Sequence, residues 1–163
     1  MHEVHISKKD TKKMLEEVRR QLKIDVSRIN DRGNKIIEID KNANIILFGR
    51  IVLIKEEERI FPSLLCEETF LDQFPTIKVD KGAIPFICKG AKIMRPGIVA
   101  FDREFLLDDI VCVKEALYNK FIAIGKALMG KDDAEKGSKG VVLDNLHYVG
   151  DKYWDALKNI RFQ

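Results

Sequence analysis

Lysine beside glycine is the arrangement in this chain best suited to chemistry, and that chemistry is the capture of phosphate. The second half repeats the pair at Lys81-Gly82, Lys89-Gly90, Lys136-Gly137 and Lys139-Gly140. Glycine lets a backbone approach a ligand closely, and a neighbouring cation attracts an anion. Two of the pairs bracket the apolar block Ala83-Ile84-Pro85-Phe86-Ile87-Cys88, and Lys92 and Arg95 follow before a Pro96-Gly97 turn. From Lys78 to Gly97, the cations Lys78, Lys81, Lys89, Lys92 and Arg95 face Asp80 alone, a local +4 on a chain of net charge +3. Clustered cations gain from counterion release, so a phosphate backbone is the expected ligand. Phe86, Tyr148, Tyr153 and Trp154 are candidates for base stacking. Large aromatics dominate burial, which assigns Phe86 and Trp154 to the core and leaves Tyr148 and His147 as the more open pair.

Other chemistries are poorly supplied. Gly125 to Lys131 fits the GxxxxGK of a phosphate-binding loop, but Asp132 stands where Ser or Thr must hold magnesium. Phe121 to Met129 also alternates like a strand, leaving no glycine-rich loop. Cys66, Cys88 and Cys112 are widely spaced among apolar neighbours, which predicts reduced structural thiols and neither a disulfide frame nor a zinc site. A Cys-His pair with His147 would need thiolate-stabilising surroundings that Ile, Val and Phe do not provide. His2 and His5 suit a half-exposed terminal strand. Asp108-Asp109 and Asp132-Asp133 are adjacent pairs, which point apart on a strand or lie solvated in a loop, and Glu56-Glu57-Glu58 makes a solvated tip. No catalytic group, metal or cofactor is expected.

Composition sets the frame for these residues. The chain has 163 residues, 34% charged and 45% hydrophobic, which fits one mid-sized folded domain or two small ones. Residues 1–77 hold 14 Lys/Arg and 14 Asp/Glu, whereas residues 78–163 hold 15 and 12, so the whole cationic surplus lies in the second half. No apolar run approaches the ~20 residues needed to span a bilayer. The N-terminus has no signal-peptide core, and a cytoplasmic, membrane-free protein is expected.

The elements that must position the lysines follow from periodicity and punctuation. A short strand at Val4-His5-Ile6 leads through Ser7 into a helix carrying Met14, Leu15, Val18 and Leu22 at helical spacing. A turn at Asp31–Asn34 is followed by strands at Ile36–Ile39, Ile45–Phe48 and Ile51–Lys55, then a short helix through Phe70 and Phe74. Beyond Phe74-Pro75, a helix from Lys81 to Lys89 is predicted, with Asp80 as N-cap and Gly90 at C′. Pro85 predicts a distorted first turn. Strands are expected at Lys92–Met94, Ile98–Phe101, Ile110–Lys114, Phe121–Met129 and Val141–Val149, in a nearly closed barrel, with a short helix through Tyr153, Trp154 and Leu157 sealing one end. The expected class is α+β: an N-terminal α+β unit over 1–76, and a β pseudo-barrel with a C-terminal helix over 77–163.

The segments Val79–Ile98 (VDKGAIPFICKGAKIMRPGI), Ile122–Met129 (IAIGKALM) and Lys139–Trp154 (KGVVLDNLHYVGDKYW) resemble a PUA domain, a small RNA-binding barrel. With Phe61–Leu65 (FPSLL) upstream, the layout is similar to the malignant T-cell-amplified-sequence family of translation factors and its archaeal relatives. That resemblance implies RNA contact through Lys81, Gly82, Ala83, Lys89, Gly90, Ala91 and Lys92, with Arg95 nearby and His147 and Tyr148 across the groove. Pro85 departs from the polar residue common in that helix. The resemblance also implies a non-enzymatic role at the small ribosomal subunit or tRNA acceptor end, binding rRNA or tRNA, with a partner bearing a SUI-type domain. An accessory RNA-binding subunit of an RNA-modification enzyme, and a protein-docking module, are the rival readings.

Overall fold

The computed structural model describes residues 2–30 and 32–160. Its first sheet grows from the apolar runs between residues 35 and 62. Strands β2 (Lys35–Asp40), β3 (Ala43–Phe48), β4 (Ile51–Glu56) and β5 (Arg59–Pro62) form an antiparallel meander, and β1 (His2–His5) pairs with the free edge of β2. Consecutive residues of β3 and β4 are buried, Ile45, Ile46, Leu47 and Phe48 on one, Val52, Leu53 and Ile54 on the other. A strand buried on both faces must be covered twice. Helix α1 (Lys8–Leu22) brings Val18 and Leu22 to this cluster, and Ser7 caps it by accepting the Asp10 N–H at 3.0 Å. Cys112, Ile124, Tyr153 and Leu157 from the C-terminal half join the same cluster.

After α2 (Glu68–Leu71), a second sheet is assembled from β6 (Thr76–Val79), β7 (Ile93–Met94), β8 (Ile98–Phe101), β9 (Ile110–Glu115), β10 (Phe121–Ala127) and β11 (Val141–Tyr148). Its strand order is β7-β11-β10-β9-β6-β8, with β6 and β9 parallel and the other pairs antiparallel. Strands β7 and β8 lie at opposite edges, yet only the 3-10 turn Arg95–Gly97 joins them. The sheet must therefore curl until its edges approach, giving a half-barrel around Ile77, Val79, Val111, Val113 and Leu143. Helix α4 (Lys131–Lys136) follows β10, and α5 (Lys152–Leu157) leaves β11 to pack Tyr153 edge-on against Phe61.

The α+β class and the curled C-terminal sheet match the sequence expectation. Several elements differ. The helix expected from Lys81 to Lys89 is a 3-10 turn, Lys81–Ala83, followed by a single α-turn, α3 (Ile84–Ile87). Pro85 sits in the first turn of α3, where its missing N–H costs nothing. Strands β5 and β6 and helix α4 were not foreseen; α4 falls between the strands expected at Phe121–Met129 and Val141–Val149. Of the Asp31–Asn34 turn, Asp31 lies outside the described residues, and Gly33 has φ +67°.

Candidate nucleic-acid interface

The site is built where the chain crosses from β6 to β7. Asp80 ends β6 and accepts the Ala83 N–H at 3.0 Å, which fixes the 3-10 turn carrying Lys81 and Gly82. α3 ends at Cys88, and Gly90 takes φ +97°, a conformation that side chains other than hydrogen disfavour. The Ala91 N–H then bonds back to Phe86 O at 3.1 Å. Asn145, on β11, donates its side-chain amide to Ile87 O at 3.0 Å and Ala91 O at 2.9 Å. The turn holding Lys89 and Gly90 is thus pinned at both ends.

Between this turn, α3 and β7 opens a cleft of about 460 Å³ lined by Gly82, Ala83, Phe86, Ala91, Lys92 and Met94 among others. Its floor is apolar, from Val79, Ile87 and Ile93, and its charged lining residues are Asp80 and Lys92. Lys81, Lys89 and Lys92 are all exposed. The Lys92 ammonium lies 3.3 Å from the Asp144 carboxylate, with Lys92 exposed and Asp144 half-buried, and such a surface pair is weak enough for a phosphate to displace. Phe86 is 67% exposed and Met94 47% exposed, each at the cleft. Phe86 is therefore not the core residue its type suggests.

Of the ten residues singled out in the sequence, the structure brings Gly82, Ala83, Ala91 and Lys92 into one cleft, with Lys81, Lys89 and Gly90 on its flanks. Tyr148 stands behind Gly90: a Cβ at Gly90 would lie 3.2 Å from the Tyr148 hydroxyl. Two expectations need correction. Arg95 is a brace, not a free phosphate ligand. Its guanidinium donates to Ala134 O at 2.7 Å and Ile98 O at 3.0 Å, and lies 5.3 Å from the centre of the Phe101 ring. His147 is 0% exposed, on the face of β11 opposite Tyr148. Its Nδ1–H donates to Asp151 at 2.9 Å, and its Nε2 accepts the Leu64 N–H at 3.1 Å. That imidazole ties the second sheet to the segment after the first and has no surface for RNA. Asn145 and the apolar floor were missed; only a side chain's tertiary partners identify them.

The remaining motifs are structural. Gly125 lies in β10 at an irregularity in its pairing with β11, where a Cβ would meet Asp144 O at 2.8 Å, so close strand packing explains the glycine of the GxxxxGK match. Burial pushes the Cys66 thiol up to about 11, and raises Cys112 further. Among the described residues no helix is long and apolar enough to cross a membrane, and no group of three or more His, Cys, Asp or Glu could hold a metal.

A model of the PUA domain matches residues 75–149. Translation machinery-associated protein 20 of Eremothecium gossypii is 31% identical over 74% of this chain and 71% of its own length. Malignant T-cell-amplified sequence 1-A of Xenopus laevis is 30% identical over 74% of this chain and 69% of its own. A crystal structure of a hypothetical protein from Pyrococcus horikoshii superposes with a TM-score of 0.77 at 30% identity, covering 95% of this chain and 99% of that one. With its half-barrel, its basic cleft and these likenesses together, the chain belongs to the family of PUA-domain proteins that includes translation machinery-associated protein 20 and the malignant T-cell-amplified sequences.

Proposed function

We propose that this chain is a non-enzymatic RNA-binding protein of translation that grips structured RNA in the cleft between α3 and β7. The observation that carries the reading is the pairing of an apolar floor, with Phe86 left 67% exposed, and Lys92 in the lining, with the exposed Lys81 and Lys89 in the segments beside it. The lysines hold phosphates and position the strand, while Gly82 and Gly90 let backbone approach it. Ala83 and Ala91 keep the walls low, and the apolar floor offers a surface on which a base can lie. Relatives named for the translation machinery support that process as the setting.

The finer reading is rRNA of the small ribosomal subunit or a tRNA acceptor end as the RNA, and a SUI-type-domain protein as partner, in the cytoplasm. Residues 77–163 supply the grip, and residues 1–76 offer the face for that partner. Crosslinking the protein to RNA in extract and sequencing the attached fragments tests the assignment. Enrichment of small-subunit rRNA or tRNA ends is the expected result. Recovery of no RNA above background, or co-purification with a modification enzyme in place of ribosomal subunits, overturns it.

A further inference from the structure

The turn between β9 and β10 (Ala116–Lys120) is held more firmly than its exposure suggests. Glu115, only 4% exposed, turns its carboxylate onto the turn's own backbone, accepting from Leu117 N–H at 3.0 Å, Tyr118 N–H at 2.8 Å and Lys120 N–H at 3.0 Å. Ala116 N–H adds a bond to Val79 O at 2.9 Å. These bonds fix the backbone of the turn, which presents Leu117, 60% exposed, and Tyr118, 73% exposed. A large aromatic on a rigid support is a preorganised contact, because ordering it costs little on binding.

Topology decides what the contact meets. β6 and β9 run parallel, with Val79 paired to Glu115, so the segments leaving both strands emerge at the same end of the sheet. One is Asp80-Lys81-Gly82, the start of the cleft; the other is the Tyr118 turn, and the strands they leave are one spacing, roughly 4.8 Å, apart. Lys81 and Lys120 are exposed there, whereas the carboxylates of Asp80 and Glu115 are committed to backbone amides. The Tyr118 turn thus lies beside the cleft's own Lys81, and Lys120 supplies a further exposed cation two residues from the ring.

We infer that Tyr118 is a stacking platform for an unpaired base of the RNA strand as it leaves the cleft past Lys81, with Lys120 beside the adjoining phosphate. This inference rests on the RNA-binding reading above. The test uses the full chain with a hairpin oligoribonucleotide carrying a single-stranded tail, and the same hairpin blunt-ended. Tyr118→Ala is expected to weaken binding of the tailed RNA about tenfold, with the salt dependence unchanged because no charge is lost. Tyr118→Trp restores the affinity, and the blunt hairpin binds Tyr118→Ala and wild type alike. If Tyr118→Ala binds the tailed RNA as wild type does, while Lys81→Ala with Lys89→Ala weakens it, this inference alone falls. If wild type binds neither RNA, the RNA-binding reading falls with it.

Discussion

His147 and Tyr148 are consecutive on β11 and serve opposite sides of the sheet. The imidazole is wholly buried against Leu64 and Asp151, and the phenol backs the Gly90 turn of the basic cleft. One strand thereby holds the two halves of the chain together and shapes the candidate RNA surface, with the two tasks divided by side-chain alternation.

His147→Ala leaves the Leu64 N–H without its acceptor and removes one of three hydrogen bonds to Asp151, which keeps those from the Tyr148 and Trp154 N–H groups. The orphaned amide costs about 1–3 kcal/mol and the cavity left by the buried ring adds to it, so a loss of roughly 2–4 kcal/mol is expected in urea unfolding. RNA affinity of the folded variant should match wild type. Weaker RNA binding with unchanged stability would return His147 to the interface.

Gly90 and Gly140 share φ +97°, but a Cβ at Gly140 meets nothing within 4 Å, whereas at Gly90 it crowds Tyr148. Gly140→Ala should cost about 1–2 kcal/mol from backbone strain alone. Gly90→Ala should cost more than Gly140→Ala, and should also weaken RNA binding by shifting the turn that carries Lys89. Equal denaturation midpoints for the two variants would mean that the Tyr148 contact is soft.

Backbone amides of Lys120 and Tyr118 hold the Glu115 carboxyl below its ordinary value of 4.5. A carboxylate whose folded pKa is depressed contributes stability that is complete above the unfolded value and is lost as pH falls through the folded one. Glu115→Gln should therefore be less stable than wild type at pH 7, and the gap should narrow as pH drops below about 4. Urea midpoints across that range measure it; a gap independent of pH would show that the carboxylate's charge is not what holds the turn.

What local chemistry sets, the sequence displays. The Asp80 cap and the Ser7 start of α1 depend on residues within a few positions of each other, and both stand where punctuation placed them, whereas Gly90, expected at C′, lies two residues beyond the Cys88 C-cap of α3. Arg95 and His147 were misplaced because their partners are distant in sequence: Ala134 O lies 39 residues from Arg95, and Leu64 N lies 83 from His147. Phe86 was misassigned because aromatics are ordinarily buried, and only the fold shows an α3 too short to cover both of its faces. Four-residue strands such as β6 give periodicity too little length to register.

The central claim is that Lys81, Lys89 and Lys92 form one phosphate-binding rim. Its most direct test is the salt dependence of RNA affinity in wild type and in the triple alanine variant. Neutralising three or four phosphates predicts a logarithmic slope of roughly −2 to −3 for wild type on single-stranded RNA, flattening towards zero in the variant, with affinity lost equally for all sequences. A variant that keeps both the slope and the affinity of wild type would contradict the account.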